Sequence, residues 1–225
     1  MLSIGNCTLG ETPRIVAVVD DVIPVEKLIP LVARADLLEM RIDCWQTSIE
    51  KTAEYLETVR FAVKKPMIGT IRENDFTHEI RVELFKASIP LLDSIDIELG
   101  SPISVEVTAA ATGKVIIVSE HDFVATPDLE ELSSMVERAC AQGADIVKLA
   151  TMANCREDVV RLLEFTRSCT VPVVAFAMGP IGKVSRVISL LFGTLFTYGY
   201  ITKPVAPGQL SVVELAEEIG KYFPE

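Results

Sequence analysis

Lys148 lies inside an apolar run, Ala144-Asp145-Ile146-Val147-Lys148-Leu149-Ala150-Thr151-Met152. Lysine is rarely buried without a partner. Desolvation disfavours its ammonium form, and a neutral amine attacks carbonyl carbons. A lysine so placed can form a Schiff base. Taken in isolation, it reads first as a structural lysine that reaches a strand end and pairs with a carboxylate. His121, in Ser119-Glu120-His121-Asp122-Phe123, is one of only two histidines and follows another apolar run. An imidazole there suits proton transfer near neutral pH. The other, His78, falls in or just after the loop Glu73–Thr77 and reads as solvated.

Further polar residues interrupt core-like segments. In Leu37–Asp43, Glu39, Arg41 and Asp43 share one face, and Leu38, Met40 and Ile42 the other. Three charges on an inward face are costly unless they meet one another or a ligand. A structural Glu39–Arg41 pair and a binding role both remain open. Arg72 and Glu98 each end an apolar run, and Glu98 reads as structural or supporting. The turn Met178-Gly179-Pro180-Ile181-Gly182-Lys183 leads to Ser185-Arg186, where Arg186 could grip a carboxylate with two donors. Gly179 and Gly182 by themselves signal turn geometry, although a helix start there could hold an anion. Gln209 tips the stiff loop Lys203-Pro204-Val205-Ala206-Pro207-Gly208 and, on its own, reads as solvent-facing. No cluster has metal-ligand spacing, and neither a GxSxG elbow nor a P-loop occurs.

Positioning these groups requires a repeating scaffold. Strand-like runs occur at Arg14–Asp20, Leu37–Asp43, Pro66–Arg72, Ser94–Leu99, Lys114–Glu120, Asp145–Met152, Val171–Met178 and Thr194–Ile201. Their near-continuous Val, Ile, Leu and Ala content suits parallel strands covered on both faces. Amphipathic helices fit Ser48–Val63, Asp128–Ala141, Asn154–Ser168 and Leu210–Phe223. Thr126-Pro127 supplies a cap and first-turn proline for the second of these, and Gly143 stops it. Gly100–Gly113 has room only for a short helix. Eight strands, each with a crossover, predict a (β/α)8 TIM barrel filling one domain over residues 1–225, preceded by a short β-hairpin in Leu2–Thr12. The competing doubly wound sheet would carry a dinucleotide site, but Asp20-Asp21-Val22-Ile23-Pro24 follows the first strand where GxGxxG would stand. In a barrel, Glu39, Arg41, Arg72, Glu98, His121, Lys148, Arg186 and Gln209 all fall near the C-terminal strand ends, where active sites form.

Composition narrows the function. Hydrophobic residues make up 49% of the 225, and the mean hydropathy of +0.37 implies a large core and excludes disorder. A net charge of −11 argues against a nucleic-acid partner. The stretch Val187–Ile201 is too short and too interrupted to span a membrane, and Met1-Leu2-Ser3-Ile4-Gly5 lacks the pattern of a signal peptide. Five widely spaced cysteines, none in a CxxC pair, point to a reduced, cytoplasmic setting in which they act as small apolar packers.

The segments Leu38-Glu39-Met40-Arg41-Ile42-Asp43, Gly69-Thr70-Ile71-Arg72, Ser119-Glu120-His121-Asp122-Phe123, Gly143-Ala144-Asp145-Ile146-Val147-Lys148, Met178-Gly179-Pro180 through Ser185-Arg186, and Ala206-Pro207-Gly208-Gln209 stand in a specific order. With them the chain resembles, over nearly its full length, the type I 3-dehydroquinate dehydratases, Schiff-base lyases of the shikimate pathway. The resemblance implies that Lys148 forms an imine with the C3 ketone of 3-dehydroquinate and that His121 moves the protons. It implies that Arg186 binds the substrate carboxylate, and that Glu39, Arg41, Arg72 and Gln209 position the ring hydroxyls and carboxylate. No cofactor or metal is expected, and a homodimer is. Departures stand beside the match. Phe76 occupies the place of a carboxylate that some members set near the histidine, which leaves Glu98 as the candidate to orient His121. Glu120 stands where many members have tyrosine. Val205 replaces a frequent serine, and the Glu73–Thr77 loop lacks the usual glycines. Two other functions fit the bare residues: a lysine-dependent sugar-phosphate aldolase, which would need a phosphate cradle, and a silent barrel serving as a binding module.

Overall fold

The computed structural model describes residues 1–223. Its barrel strands are β3 (Ile15–Val19), β4 (Leu37–Arg41), β5 (Met67–Thr70), β6 (Ser94–Glu98), β7 (Val115–Asp122), β8 (Ile146–Met152), β9 (Val173–Met178) and β10 (Thr197–Tyr200). Helices α1 (Val25–Leu31), α2 (Ile49–Val63), α3 (Arg81–Ser88), α4 (Ser104–Ala110), α5 (Leu129–Ala141) and α6 (Arg156–Ser168) follow the first six in turn. Two single-turn helices, α7 (Gly179–Gly182) and α8 (Ser185–Ile188), follow β9, and α9 (Val212–Tyr222) follows β10. All paired barrel strands are parallel, and β10 returns to pair with β3. The fold is a (β/α)8 barrel, as the strand count predicts. A two-residue strand, β11 (Leu210–Ser211), pairs with the end of β10.

The strand ends differ from the sequence boundaries for local reasons. Between β9 and β10 no ladder forms among the described residues. Leu195 N donates to Val173 O at 3.1 Å, and the Thr194 hydroxyl accepts from Ala175 N at 2.9 Å and donates to Ala175 O at 3.0 Å. A side chain thus replaces the backbone there, so β10 begins at Thr197 rather than Thr194. Register at the N-terminal end of the strands is set by a recurring aspartate. Asp36, Asp93 and Asp145, each just before a strand, accept from Ile15 N, Met67 N and Ile116 N of the preceding strand at 2.8, 2.9 and 2.8 Å.

Two apolar layers result. Leu38, Met40, Ile95, Val118, Val147, Leu149 and Ala175 face the helices. Val16, Val18, Leu37, Ile68, Ile117, Ile146, Ala150 and Val174 fill the barrel. The predicted hairpin forms from β1 (Ser3–Ile4) and β2 (Cys7–Thr8), and its Ile4, Cys7 and Leu9 join the interior layer. It closes the barrel at the end opposite the polar strand termini.

Two local expectations are corrected. Asp128, not Thr126, caps α5, accepting from Glu131 N at 2.9 Å. The Thr126 hydroxyl instead bonds Thr151 and Met152 O, both at 2.9 Å. Cys7 is buried and Cys169 packs half-buried against the core, while Cys44, Cys140 and Cys155 are exposed, so the packing role fits two of the five. No helix among the described residues is long and apolar enough to cross a membrane.

Candidate active site

Lys148 sits on β8 with Ile146 and Ala150 on its inward face, and it is 4% exposed. Strand β4 delivers Glu39 and β6 delivers Asp96 to the same point. Lys148 Nζ donates to Asp96 Oδ2 at 2.9 Å and to Glu39 Oε1 at 3.2 Å. The lysine is therefore both buried and paired. The structural reading of the isolated residue describes its resting state, and the reactive reading depends on what surrounds it.

Asp96 is the hub. It is fully buried, and its Oδ1 accepts from Arg72 Nη2 at 2.7 Å and from the Ser119 hydroxyl at 2.6 Å. Burial by itself would raise its carboxyl, but Arg72, Lys148 and the Ser119 hydrogen bond hold it well below the usual carboxylate range. Glu39 Oε1 also accepts from Thr70 Oγ1 at 3.0 Å. Arg72 Nη1 lies 3.3 Å from Glu98 Oε2, out of hydrogen-bond alignment. At the rim, Arg41 donates to Asp43 through Nε at 3.0 Å and Nη2 at 2.7 Å. Asp43 lies beyond the end of β4, in a 3-10 turn, so it reaches Arg41 by chain reversal rather than along a strand face.

His121 lies on the inward face of β7, two residues beyond Ser119. Burial, then Lys148 and Arg72, push its imidazole from 6.5 down to about 3. It is a neutral base at physiological pH. Its ring lies nearly parallel to Phe123, with centroids 6.0 Å apart and planes 16° apart. Glu98 does not orient it: that carboxylate is taken by Arg81 Nη2 of α3, whose Nε also donates to Ile71 O at 2.7 Å. Phe76 is held on a loop pinned by Asn74, which accepts from Phe76 N and Thr77 N at 2.9 Å each. His78 is exposed and paired with Glu73, as its loop position predicts.

Arg186, on α8, is 1% exposed and has no carboxylate partner among the described residues. Its guanidinium lies 4.6 Å from the Phe176 ring centre, and Nη2 donates to Pro207 O at 3.4 Å. Nε has no partner. Burial draws this guanidinium down to about 10, so it remains charged at neutral pH. Gln209 Oε1 accepts from Val205 N at 2.8 Å, which folds the loop onto the cavity instead of into solvent. Lys148, His121, Glu39, Arg41, Arg72, Arg186 and Gln209 all line one cavity of about 330 Å³. Such a space holds a small polar ring. The surrounding charges leave one guanidinium unanswered, so the cavity is built for an anion.

Comparison with known proteins fits this geometry. The family model described as "Type I 3-dehydroquinase" matches residues 15–219. The chain belongs to the type I 3-dehydroquinase family. A 3-dehydroquinate dehydratase of Methanocella arvoryzae is 38% identical over 213 residues, covering 91% of this chain and 94% of its own length. One from Methanococcoides burtonii is 35% identical, covering 96% and 97%. The solved type I 3-dehydroquinate dehydratase of Clostridium difficile, described with covalent modified comenic acid, superposes with a TM-score of 0.83 at 27% identity over 99% of this chain and 98% of that one. The chain is thus a type I 3-dehydroquinate dehydratase by family, an enzyme of dehydration in the shikimate pathway.

Sequence reasoning missed Asp96, Ser119, Thr70, Arg81 and Tyr198. The signal for Asp96 was present. Ser94, Asp96 and Glu98 alternate with Ile95 and Ile97 as Glu39 and Arg41 alternate with Leu38 and Met40. Nothing in the spacing marks Arg81, which acts from a helix start across to β6.

Proposed function

We propose that this chain converts 3-dehydroquinate to 3-dehydroshikimate and water through a covalent imine on Lys148. The observation that carries the reading is one cavity with a buried amine held by two carboxylates and a buried arginine held by none. The covalently modified ligand in the Clostridium difficile relative supports a covalent step.

The Lys148 ammonium first gives up a proton, for which His121 is the neutral acceptor at hand. The amine adds to the C3 ketone, His121 returns its proton to the carbinolamine hydroxyl, which leaves as water, and an iminium forms with His121 neutral again. That cation withdraws electrons and acidifies the C2 hydrogen. His121 takes the C2 proton, the C1 hydroxyl departs with a proton returned by His121, and water then hydrolyses the imine and frees Lys148. Glu39 and Asp96 face a positive nitrogen before and after imine formation. Their charges therefore need no rearrangement in the transition state. Arg186 binds the carboxylate. Arg41, Arg72, Glu39 and the free amide nitrogen of Gln209 position the ring. The same reading has residues 1–225 acting as one catalytic domain in a cytoplasmic homodimer, with no cofactor and no nucleic-acid or membrane partner.

Borohydride added to enzyme and substrate should leave a reduced adduct on the Lys148 peptide in mass spectrometry. Lys148→Ala should abolish both the adduct and the ultraviolet absorbance of the conjugated product. Near wild-type turnover by that variant would overturn the proposal.

A further inference from the structure

Tyr198 closes the cavity from β10, and its ring is the third group around the Lys148 amine. Nζ stands 4.2 Å from the ring centre. Tyr198 meets Phe176 edge-on at 6.0 Å and 60°, and Phe196 at 5.6 Å and 72°. Phe176 carries Arg186 on its face at 4.6 Å. Two of the four cations that line the cavity, Lys148 and Arg186, thus rest on two adjoining aromatic faces. The phenol oxygen of Tyr198 is buried and has no hydrogen-bond partner among the described residues. An unpaired buried hydroxyl opposes folding, so the hydroxyl does not explain the residue's place. The ring does.

We infer that Tyr198 is a positioning residue for the imine chemistry. Its π-face holds the nitrogen of Lys148 in its cationic forms, ammonium and iminium, above the barrel interior. The inference rests on the imine reading of Lys148. A ring quadrupole attracts a desolvated cation and has no comparable attraction for a neutral imine. The ring therefore favours the protonated iminium, the form that withdraws electrons from C3. It also supplies no competing charge, because burial keeps the phenol neutral. Glu39 and Asp96 fix the nitrogen from one side by hydrogen bonds, and the ring closes another side without taking a proton from it.

The test separates ring from hydroxyl. Tyr198→Phe should keep kcat within about two-fold of wild type. Tyr198→Leu should lower kcat by about 3- to 30-fold, the range given by a buried cation–π contact, with a smaller change in KM. Its alkaline limb of kcat should move to lower pH, because the iminium then loses its proton more easily. A fluorinated phenylalanine at 198 weakens the quadrupole at nearly constant shape and should fall between Phe and Leu. That variant keeps the test valid if the leucine variant unfolds. Equal kcat and equal alkaline limbs for Phe, fluorinated Phe and Leu, with the borohydride adduct still on Lys148, would overturn this inference and leave the imine reading standing. Loss of the adduct in the wild type would overturn both.

Discussion

His121 differs from a free imidazole because of what surrounds it. Burial and the cations Lys148 and Arg72 oppose its protonation, and the Asp96 charge offsets them only in part. The unfolded chain takes up a proton below about 6.5, whereas the folded site does so only near 3. The native state thus binds fewer protons in that window, and this residue lowers stability as pH falls through it. The ring resonances of His121 in NMR should stay fixed from pH 8 to pH 5. A midpoint near 6.5 would refute the neutral-base assignment. The sequence marked this histidine by its place after a strand. It could not show the missing partner, because Glu98 is drawn away by Arg81, a residue on another element.

Single-turn α7 and α8 position Arg186 through close backbone contact. A Cβ at Gly182 would stand 2.6 Å from the carbonyl carbon and oxygen of Ala177 on β9. The Ser185 hydroxyl accepts from Ala177 N at 2.7 Å and donates to Gly182 O at 2.7 Å. These contacts bolt the arginine's helix to the strand end. Gly182→Ala must push the helices off β9, an overpacking cost of about 1–3 kcal/mol. It should lower the melting temperature and raise KM several-fold through Arg186. A wild-type KM would show that the arginine does not depend on this contact. The glycines were legible as a turn. Their use as a flat packing surface was not, since that depends on what lies against them.

Across the whole molecule, a chain of net charge −11 gathers Arg41, Arg72, Arg186 and Lys148 at one end of a barrel. Acidic groups more than about 10 Å from the pocket are screened by salt. An anion is therefore drawn by the local cations rather than repelled by the whole. Exposed Ile181, Val184, Leu191 and Tyr222 leave apolar area outside the site, which the proposed homodimer would have available to bury. Sedimentation of the purified protein should return twice the chain mass. A monomer at micromolar concentration would remove the homodimer from the proposed function.

The sequence by itself determined the eight strands, the hairpin and the end of the barrel at which the site lies. These follow from hydrophobic period and strand polarity, which are properties of neighbours along the chain. Tertiary structure decided that Asp96 is the hub, that Lys148 rests between two carboxylates and a tyrosine ring, and that Glu98 serves the arginines instead of His121. Each of those is a choice between partners on different strands. Only the closure of the barrel, which brings β4, β6, β8 and β10 around one amine, sets which partner is within reach.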